Sequence, residues 1–481
     1  MNTFVRRWLS SYRLSFPKTL VYMLQASEYD VSEYLHWYRR VDNYSKVTNR
    51  GKLKKTKKSM LLLGMALLII FASIFTIAIT AILLPEYWQK LCIIIIGLGF
   101  IPSLTTYGLV VSLWLGKILV QNPKEKEIIA QTKQKLSQHS ATKIAVAGSY
   151  GKTTMREILA TVLSAGKKVA SPPDSYNTPL GIGKFTQKLN GDEEVLVFEF
   201  GEHYPGDVAQ LCEMVEPDLG VITGVNEAHL ERFEDISTTQ AAIFELADYL
   251  GKNPVYVNAE SKLALQKAQK YSVILYSIDG CDDWNISNVN SSVSGITFIA
   301  TYKNKKIHAT SALLGEHQIG PLVCAITIAD KLGLSPKKIE QGLASTKPFK
   351  HRMQPRKVAG AIVVDDTYNG NLDGVRVGLA WLKSIPAKRK IYVTPGLVEQ
   401  GSATEAVHIQ IGQYIAGSGV DKVVLMHNST TQYIRDGLKK AKFTGEVQIE
   451  HDPKKFYTNI DQFVANGDVV LMQNDWPDNY S

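Results

Sequence analysis

The stretch Gly148-Ser149-Tyr150-Gly151-Lys152-Thr153-Thr154 carries the residue types needed to hold a nucleoside triphosphate. Its glycines permit a tight turn whose backbone N–H groups point at phosphate oxygens, and a helix starting directly behind it adds a favourable dipole. Lys152 has the reach for the β/γ oxygens, and the Thr153 hydroxyl suits Mg²⁺. The spacing is tighter than the common GxxxxGK[ST] pattern, because Val146 stands where its first glycine would be. The segment reads as an ATP site formed by Gly148, Ser149, Gly151, Lys152, Thr153 and Thr154. Further polar groups follow at Asn177-Thr178-Pro179, at Glu199, Glu202 and His203, and at Asn226, Glu227 and His229. Glu199 closes an otherwise mainly hydrophobic run, where a carboxylate is costly unless a metal or a cation faces it. Mg²⁺ takes few protein oxygens beside phosphates and waters, so one glutamate next to a phosphate loop suffices.

These groups need a scaffold that brings them together. Apolar runs at Ile144–Ala147, Lys168–Ser171, Glu194–Phe200, Leu219–Thr223 and Val255–Asn258 read as strands with helical stretches between several of them. That alternation predicts an α/β domain, about 141–349, with a parallel sheet covered on both faces. In such sheets ligands bind beyond the carboxyl ends of the strands, where the polar groups fall. Ile362–Asp366, Ile391–Thr394, Val423–Met426 and Val469–Met472, alternating with helical stretches near 372–384, 403–417 and 430–441, predict a second, Rossmann-like α/β domain over 350–481.

The front of the chain differs. Met60–Leu84 and Leu91 to about Leu115 contain no charged residue and are separated by Pro85-Glu86-Tyr87-Trp88-Gln89-Lys90. Each is long enough to cross about 30 Å of hydrocarbon, which predicts a two-helix transmembrane hairpin over 59–120. Lys52, Lys54, Lys55, Lys57 and Lys58 precede it, so both ends are expected on the cytoplasmic side of the cytoplasmic membrane, with the catalytic domains. Residues 1–58 hold a short helix near Phe16–Ala26, read either as lying on the bilayer or as packing on its own neighbours. Residues 121–140 read as a helical tether. The net charge of +9 is partly this local lysine cluster, and nothing beyond charge points to nucleic acid. Cys92, Cys212, Cys281 and Cys324 are scattered, which fits a reducing compartment rather than a zinc ribbon or a disulfide framework.

The ordered set Gly148–Thr154, Asn177-Thr178-Pro179-Leu180-Gly181, Glu199-Phe200-Gly201, Asn226–Glu231, Leu314-Gly315-Glu316-His317-Gln318, His351-Arg352 and Val364–Asn371 resembles the Mur ligases, most of all the MurF branch. The resemblance covers about 141–472. It implies an ATP-dependent carboxylate–amine ligase acting through an acyl phosphate. The branch adds D-alanyl-D-alanine to a muramoyl-tripeptide precursor of peptidoglycan. By resemblance, Lys152 and Thr153 hold phosphate and Mg²⁺, Glu199 and His229 serve metal, and Arg352 contacts phosphate. Asp366 meets the ribose, and His317 with Gln318 lines the adenine.

Four departures accompany the resemblance. Ile243 occupies the place of a lysine that many Mur ligases carbamylate to bridge a second Mg²⁺; the second ion is then held another way, through Glu245 for instance, or the enzyme uses one. Gln318 replaces an asparagine. The segment Gln473-Asn474-Asp475 departs from a Lys-Gly-Ser pattern. The aromatic helix and apolar hairpin stand where soluble members carry a UDP-binding domain, so the acceptor is expected to be nucleotide-linked or lipid-linked, with membrane lipid as a further partner. A ligase of a poly-γ-glutamate-type polymer and a non-catalytic nucleotide-binding scaffold are the other readings.

Overall fold

The structure, a computed structural model, describes residues 3–27, 29–41, 43–44, 53–173, 176–202, 204–226, 236–368, 370–398 and 400–474. They fall into two compact units, 1–127 and 128–481.

The first unit is helical. Phe16–Ala26 forms the expected short helix, and Leu20, Val21 and Leu24 are fully buried against Tyr34, Tyr38 and Leu62 of the same unit. The long helix Lys57–Leu83 starts at a reciprocal cap, in which Ser59 N–H donates to Thr56 Oγ1 at 3.1 Å and Thr56 N–H donates to Ser59 Oγ at 2.9 Å. Tyr87–Gly116 follows, with Pro102 inside it. A proline cannot donate to the carbonyl four residues back; that carbonyl, Leu98 O, accepts from the Tyr12 hydroxyl instead. Both helices are long and apolar enough to cross a membrane by length and composition. The polar stretch behind them is helical over Asn122–Ser137.

The second unit holds two sheets. The central one comprises, among the described residues, β1 (Thr142–Ala147), β2 (Val169–Ala170), β3 (Val195–Glu199), β4 (Leu219–Ile222), β5 (Val255–Asn258), β6 (Ile274–Ser277), β7 (Gly280–Cys281), β8 (Trp284–Ser292), β9 (Gly295–Tyr302) and β10 (Lys305–Ser311). Their order is β10-β9-β8-β7-β6-β5-β4-β1-β3-β2. β1 to β6 pair in parallel, and Ile144 and Val146 of β1 face one core while Ala145 and Ala147 face the other. The parallel reading stops there, because β7 to β10 form an antiparallel extension. That extension escaped sequence reading because one face of it is solvated. In β9 the buried side chains are those of Ile296, Phe298 and Ala300, every second residue, beside a buried Gly295, so the strand alternates rather than forming a continuous buried run.

The second sheet comprises β11 (Gln354–Val358), β12 (Ala361–Asp366), β13 (Arg389–Thr394), β14 (Lys422–Met426), β15 (Glu446–Glu450) and β16 (Asp468–Gln473), in the order β11-β12-β16-β13-β14-β15. All pairs are parallel except β11 with β12. Helices Leu372–Ser384, Thr404–Ala416 and Thr431–Lys440 match the expected stretches. The overall architecture is an α/β fold with sheets that are largely parallel.

Candidate functional site

The turn after β1 is built for an anion. Gly148 has φ +144° and Gly151 φ +75°, and a Cβ on Gly148 would run into Thr223 Oγ1 and the Gly224 backbone. Glycine is therefore required at Gly148 both for its dihedral and for the closeness of the neighbouring loop. Ser149 N–H donates to Gly224 O at 2.9 Å, tying the turn to the end of β4. The helix Lys152–Ser164 begins at once, with Gly151 as its left-handed cap, so its first N–H groups and Thr153 and Thr154 crown the carboxyl end of the sheet. This cradle fits a polyphosphate.

Lys152 is held inward. Its Nζ donates to Gly148 O and lies 2.7 Å from Glu202 Oε1. Glu202 is 6% exposed, and its Oε2 has no partner among the described residues. Burial pushes the Glu202 carboxyl up, Lys152 opposes this, and the charge of Glu199 adds to the push. Glu199, at the end of β3, is buried as well. Its Oε1 accepts from Asn177 Nδ2 at 3.4 Å, and its Oε2 is 3.8 Å from Arg156 Nη1. Arg156 is 1% exposed and donates to Pro172 O at 2.8 Å, so the cation facing Glu199 is a helix residue that sequence reading passed over. The signal was there: Arg156 follows Lys152 by one helical turn, on the same face.

Ile243 is fully buried in the core between the sheet and the helix Ile236–Leu250. Glu245, the other residue named for a second ion, is engaged elsewhere in this structure. Its two oxygens accept from Gly206 N–H at 2.7 Å and Ala209 N–H at 2.9 Å, at the N-terminus of the helix Asp207–Val215, and are spent on that cap. His203, Glu227 and His229 lie outside the described residues, as does Asn369. Among the described residues no group of three or more His, Cys, Asp or Glu side chains is gathered as a metal cage. Thr153 with Glu199 and the open carboxylate oxygen of Glu202 is the kind of sparse, hard-oxygen set that Mg²⁺ accepts when phosphates complete its shell.

The C-terminal sheet reaches this turn through the segment His351-Arg352-Met353. His351 and Met353 have positive φ, at 58° and 45°. Three contacts hold the segment: His351 Nδ1 to Asp365 Oδ2 at 2.8 Å, the Arg352 guanidinium 4.7 Å from the Tyr368 ring centroid, and Met353 N–H donating to Asp366 Oδ1 at 3.0 Å. Held in this way, Arg352 Nη2 comes within 3.5 Å of Thr153 Oγ1. Asp366 also accepts from Gln473 Nε2 at 2.8 Å, and Gln473 Oε1 accepts from the Tyr392 hydroxyl at 2.9 Å. Burial pushes Asp366 up to about 6. Gln473 was visible in the sequence as a departure; its pairing with Asp366 was not.

His317 and Gln318 sit directly before the helix Ile319–Lys331, with Gln318 Nε2 2.9 Å from His317 Nε2. Burial lowers His317 to about 4, so it is neutral near pH 7. Gln318 Oε1 is a buried acceptor with no partner among the described residues.

The structure thus brings Lys152, Thr153 and Arg352 together, sets Glu199 and Glu202 behind them, and ties Asp366 to Arg352 through the backbone of Met353. His317 and Gln318 form a pair of their own.

Comparison with known proteins bears on the whole unit. Residues 146–329 match the Mur ligase middle domain, and 351–473 match the Mur ligase glutamate ligase domain. The UDP-N-acetylmuramoyl-tripeptide–D-alanyl-D-alanine ligase of Mycobacterium tuberculosis is 27% identical over 344 residues, covering 69% of this chain and 67% of that protein. The ligase of the same name from Synechocystis is 27% identical over 289 residues, covering 59% of this chain and 62% of its own length. Among solved structures, MurF ligase from Thermotoga maritima in complex with ADP superposes with TM-score 0.64 at 23% identity, covering 73% of this chain and 80% of its own. MurF from Acinetobacter baumannii gives TM-score 0.64 at 20% identity, covering 73% and 77%. At such identities the superpositions speak for the fold.

These relatives correct one expectation. The apolar hairpin pointed to a two-span protein of the cytoplasmic membrane. The curated relatives reported above are named for a UDP-linked precursor, and a nucleotide-linked molecule is water-soluble and calls for no membrane. The two apolar helices satisfy a criterion of length and composition that core helices of soluble proteins also satisfy. With both of its ligase domains matched in order across one continuous α/β unit, the chain belongs to the Mur ligase family of ATP-dependent ligases.

Proposed function

We propose that this protein joins D-alanyl-D-alanine to the free carboxylate of a UDP-linked muramoyl tripeptide, with Mg²⁺ and ATP. The observation that carries the reading is the approach of Arg352 to Thr153, which brings the second sheet's arginine onto the phosphate turn. A carboxylate is a poor electrophile. In this reading its oxygen takes the γ-phosphoryl group, ADP leaves, and the amine then attacks the acyl carbon and expels phosphate. Lys152, once turned from Glu202, and Arg352 place two cations where negative charge gathers. Asp366 offers acceptor oxygens to the ribose, and Gln318 Oε1 an acceptor to an adenine amino group. Thr153 and Glu199 would hold Mg²⁺, with His229 added by resemblance; when bound, the ion neutralises phosphate charge and polarises the transferring group.

The test offers the purified chain ATP, Mg²⁺ and D-alanyl-D-alanine, with the UDP-muramoyl tripeptide in one tube and its lipid-linked form in another. A new pentapeptide on the UDP acceptor, with matching phosphate release, is expected. Product on the lipid-linked acceptor alone would overturn the acceptor assignment. Turnover only with glutamate as the amine would move the chain to a poly-γ-glutamate-type ligase, and nucleotide binding with no turnover would make it a scaffold.

A further inference from the structure

Glu202 stands in the loop after β3 with one oxygen engaged and the other idle. Its Oε1 is 2.7 Å from Lys152 Nζ, while Oε2 is buried without a partner among the described residues. A buried carboxylate oxygen left bare costs free energy unless something arrives to meet it. Lys152 cannot answer for long. When this lysine turns to a triphosphate, Glu202 is left buried beside Glu199 with its own cation gone; Arg156 faces Glu199 at 3.8 Å, so Glu202 is the carboxylate left without compensation, which is strongly unfavourable. The other expected source of an oxygen ligand is closed. Ile243 is in the core, and Glu245 is committed to backbone N–H groups at a helix N-terminus.

We infer that Glu202 is a ligand of the divalent cation that accompanies the nucleotide, exchanging Lys152 for that cation when the triphosphate binds. The inference rests on the nucleotide-site reading above. It gives this chain, within its own phosphate site, a carboxylate in place of the ligand that Ile243 does not supply. Hard oxygen donors from a carboxylate, joined by phosphates and waters, are what Mg²⁺ and Mn²⁺ take. The competing role is a plain ion pair in which Glu202 only parks Lys152.

The experiment uses the full chain, Mn²⁺ as the probe, and a non-hydrolysable ATP analogue. Three quantities are read: analogue affinity in EDTA, Mn²⁺ affinity of the analogue complex by electron paramagnetic resonance, and the number of waters on bound Mn²⁺ by electron spin-echo modulation. For Glu202→Gln the expected result is Mn²⁺ affinity reduced roughly tenfold or more, with one additional water on the ion and metal-free analogue affinity kept or raised. Glu202→Asp keeps the charge but withdraws the carboxylate by one methylene, so Mn²⁺ affinity should fall there too. An unchanged Mn²⁺ affinity and water count in Glu202→Gln, with only the EDTA affinity altered, would overturn the inference in favour of the ion pair. Full Mn²⁺ affinity and an unchanged water count in Glu202→Asp would also overturn it, whether or not the glutamine variant folds. If the wild-type chain retains no analogue at all, the nucleotide-site reading itself fails and takes this inference with it.

Discussion

At the scale of single residues, two buried groups give the chain opposite responses to pH. His317 is held neutral by burial, at about 4 against an ordinary value near 6.5. As pH falls from 6.5 to 4 the unfolded chain takes up a proton that the folded chain refuses, so stability is lost on acidification. The size is on the order of 3 kcal/mol at most. Asp366 works the other way. Its folded value of about 6 lies above the ordinary 3.8, so the proton is bound more tightly in the folded state and that stability is lost as pH rises through 6. Because the two offset each other, the check is a difference. Urea midpoints of wild type minus His317→Phe should decline between pH 6.5 and 4, and those of wild type minus Asp366→Asn should rise over the same range as pH falls. Equal pH slopes in wild type and variant would contradict either assignment. Asp366 also ties stability to ligand binding, for a protonated carboxyl has lost an acceptor. Nucleotide affinity should therefore weaken below about pH 6 in the wild type and stay flat in Asp366→Asn, measured by titration calorimetry. Arg352 and Asp366 entered only through the family resemblance, while residue types and spacing made Lys152, Thr153 and Glu199 readable in advance. They did not show that Glu202 is buried, because a charged loop residue looks solvated until β3, the loop and the helix Lys152–Ser164 close around it.

At the scale of elements, most of the parallel strands, though not β6 or β15, were readable because strands covered on both faces become continuous apolar runs, as in Val195–Glu199 and Val423–Met426. β11, β15 and the β7–β10 extension carry mixed sequences such as Gln354-Pro355-Arg356-Lys357 and Glu446-Val447-Gln448, whose meaning appears only beside a partner strand. The glycines were another partial signal. Gly412 and Gly437 lie on the facing helices Thr404–Ala416 and Thr431–Lys440, and a Cβ on either would meet the backbone carbonyl of the other helix, Ile434 O or Ile409 O. The helices cross at backbone contact, and no flexible side chain can give way. Gly412→Ala should cost about 1–3 kcal/mol despite alanine's better helix propensity, seen as a lower urea midpoint. A midpoint equal to or above wild type would show that the crossing has slack.

At the scale of the whole molecule, the order of the motifs carried more than any one of them. A phosphate turn alone fits many nucleotide-binding proteins, whereas the same turn followed by Glu199, His317, Arg352 and Asp366 in sequence pointed to a family that both domain matches then showed. The apolar hairpin went the other way: composition alone led to a location that the relatives correct. What remains central is that the chain activates a carboxylate with ATP before an amine attacks it. The most direct measurement uses an acceptor tripeptide with ¹⁸O in its free carboxylate, incubated with the protein, ATP, Mg²⁺ and D-alanyl-D-alanine. Mass analysis of the released phosphate should find one ¹⁸O per amide formed, and Lys152→Ala should abolish both products. Amide formed with unlabelled phosphate, or phosphate released without amide, would contradict carboxylate activation at this site.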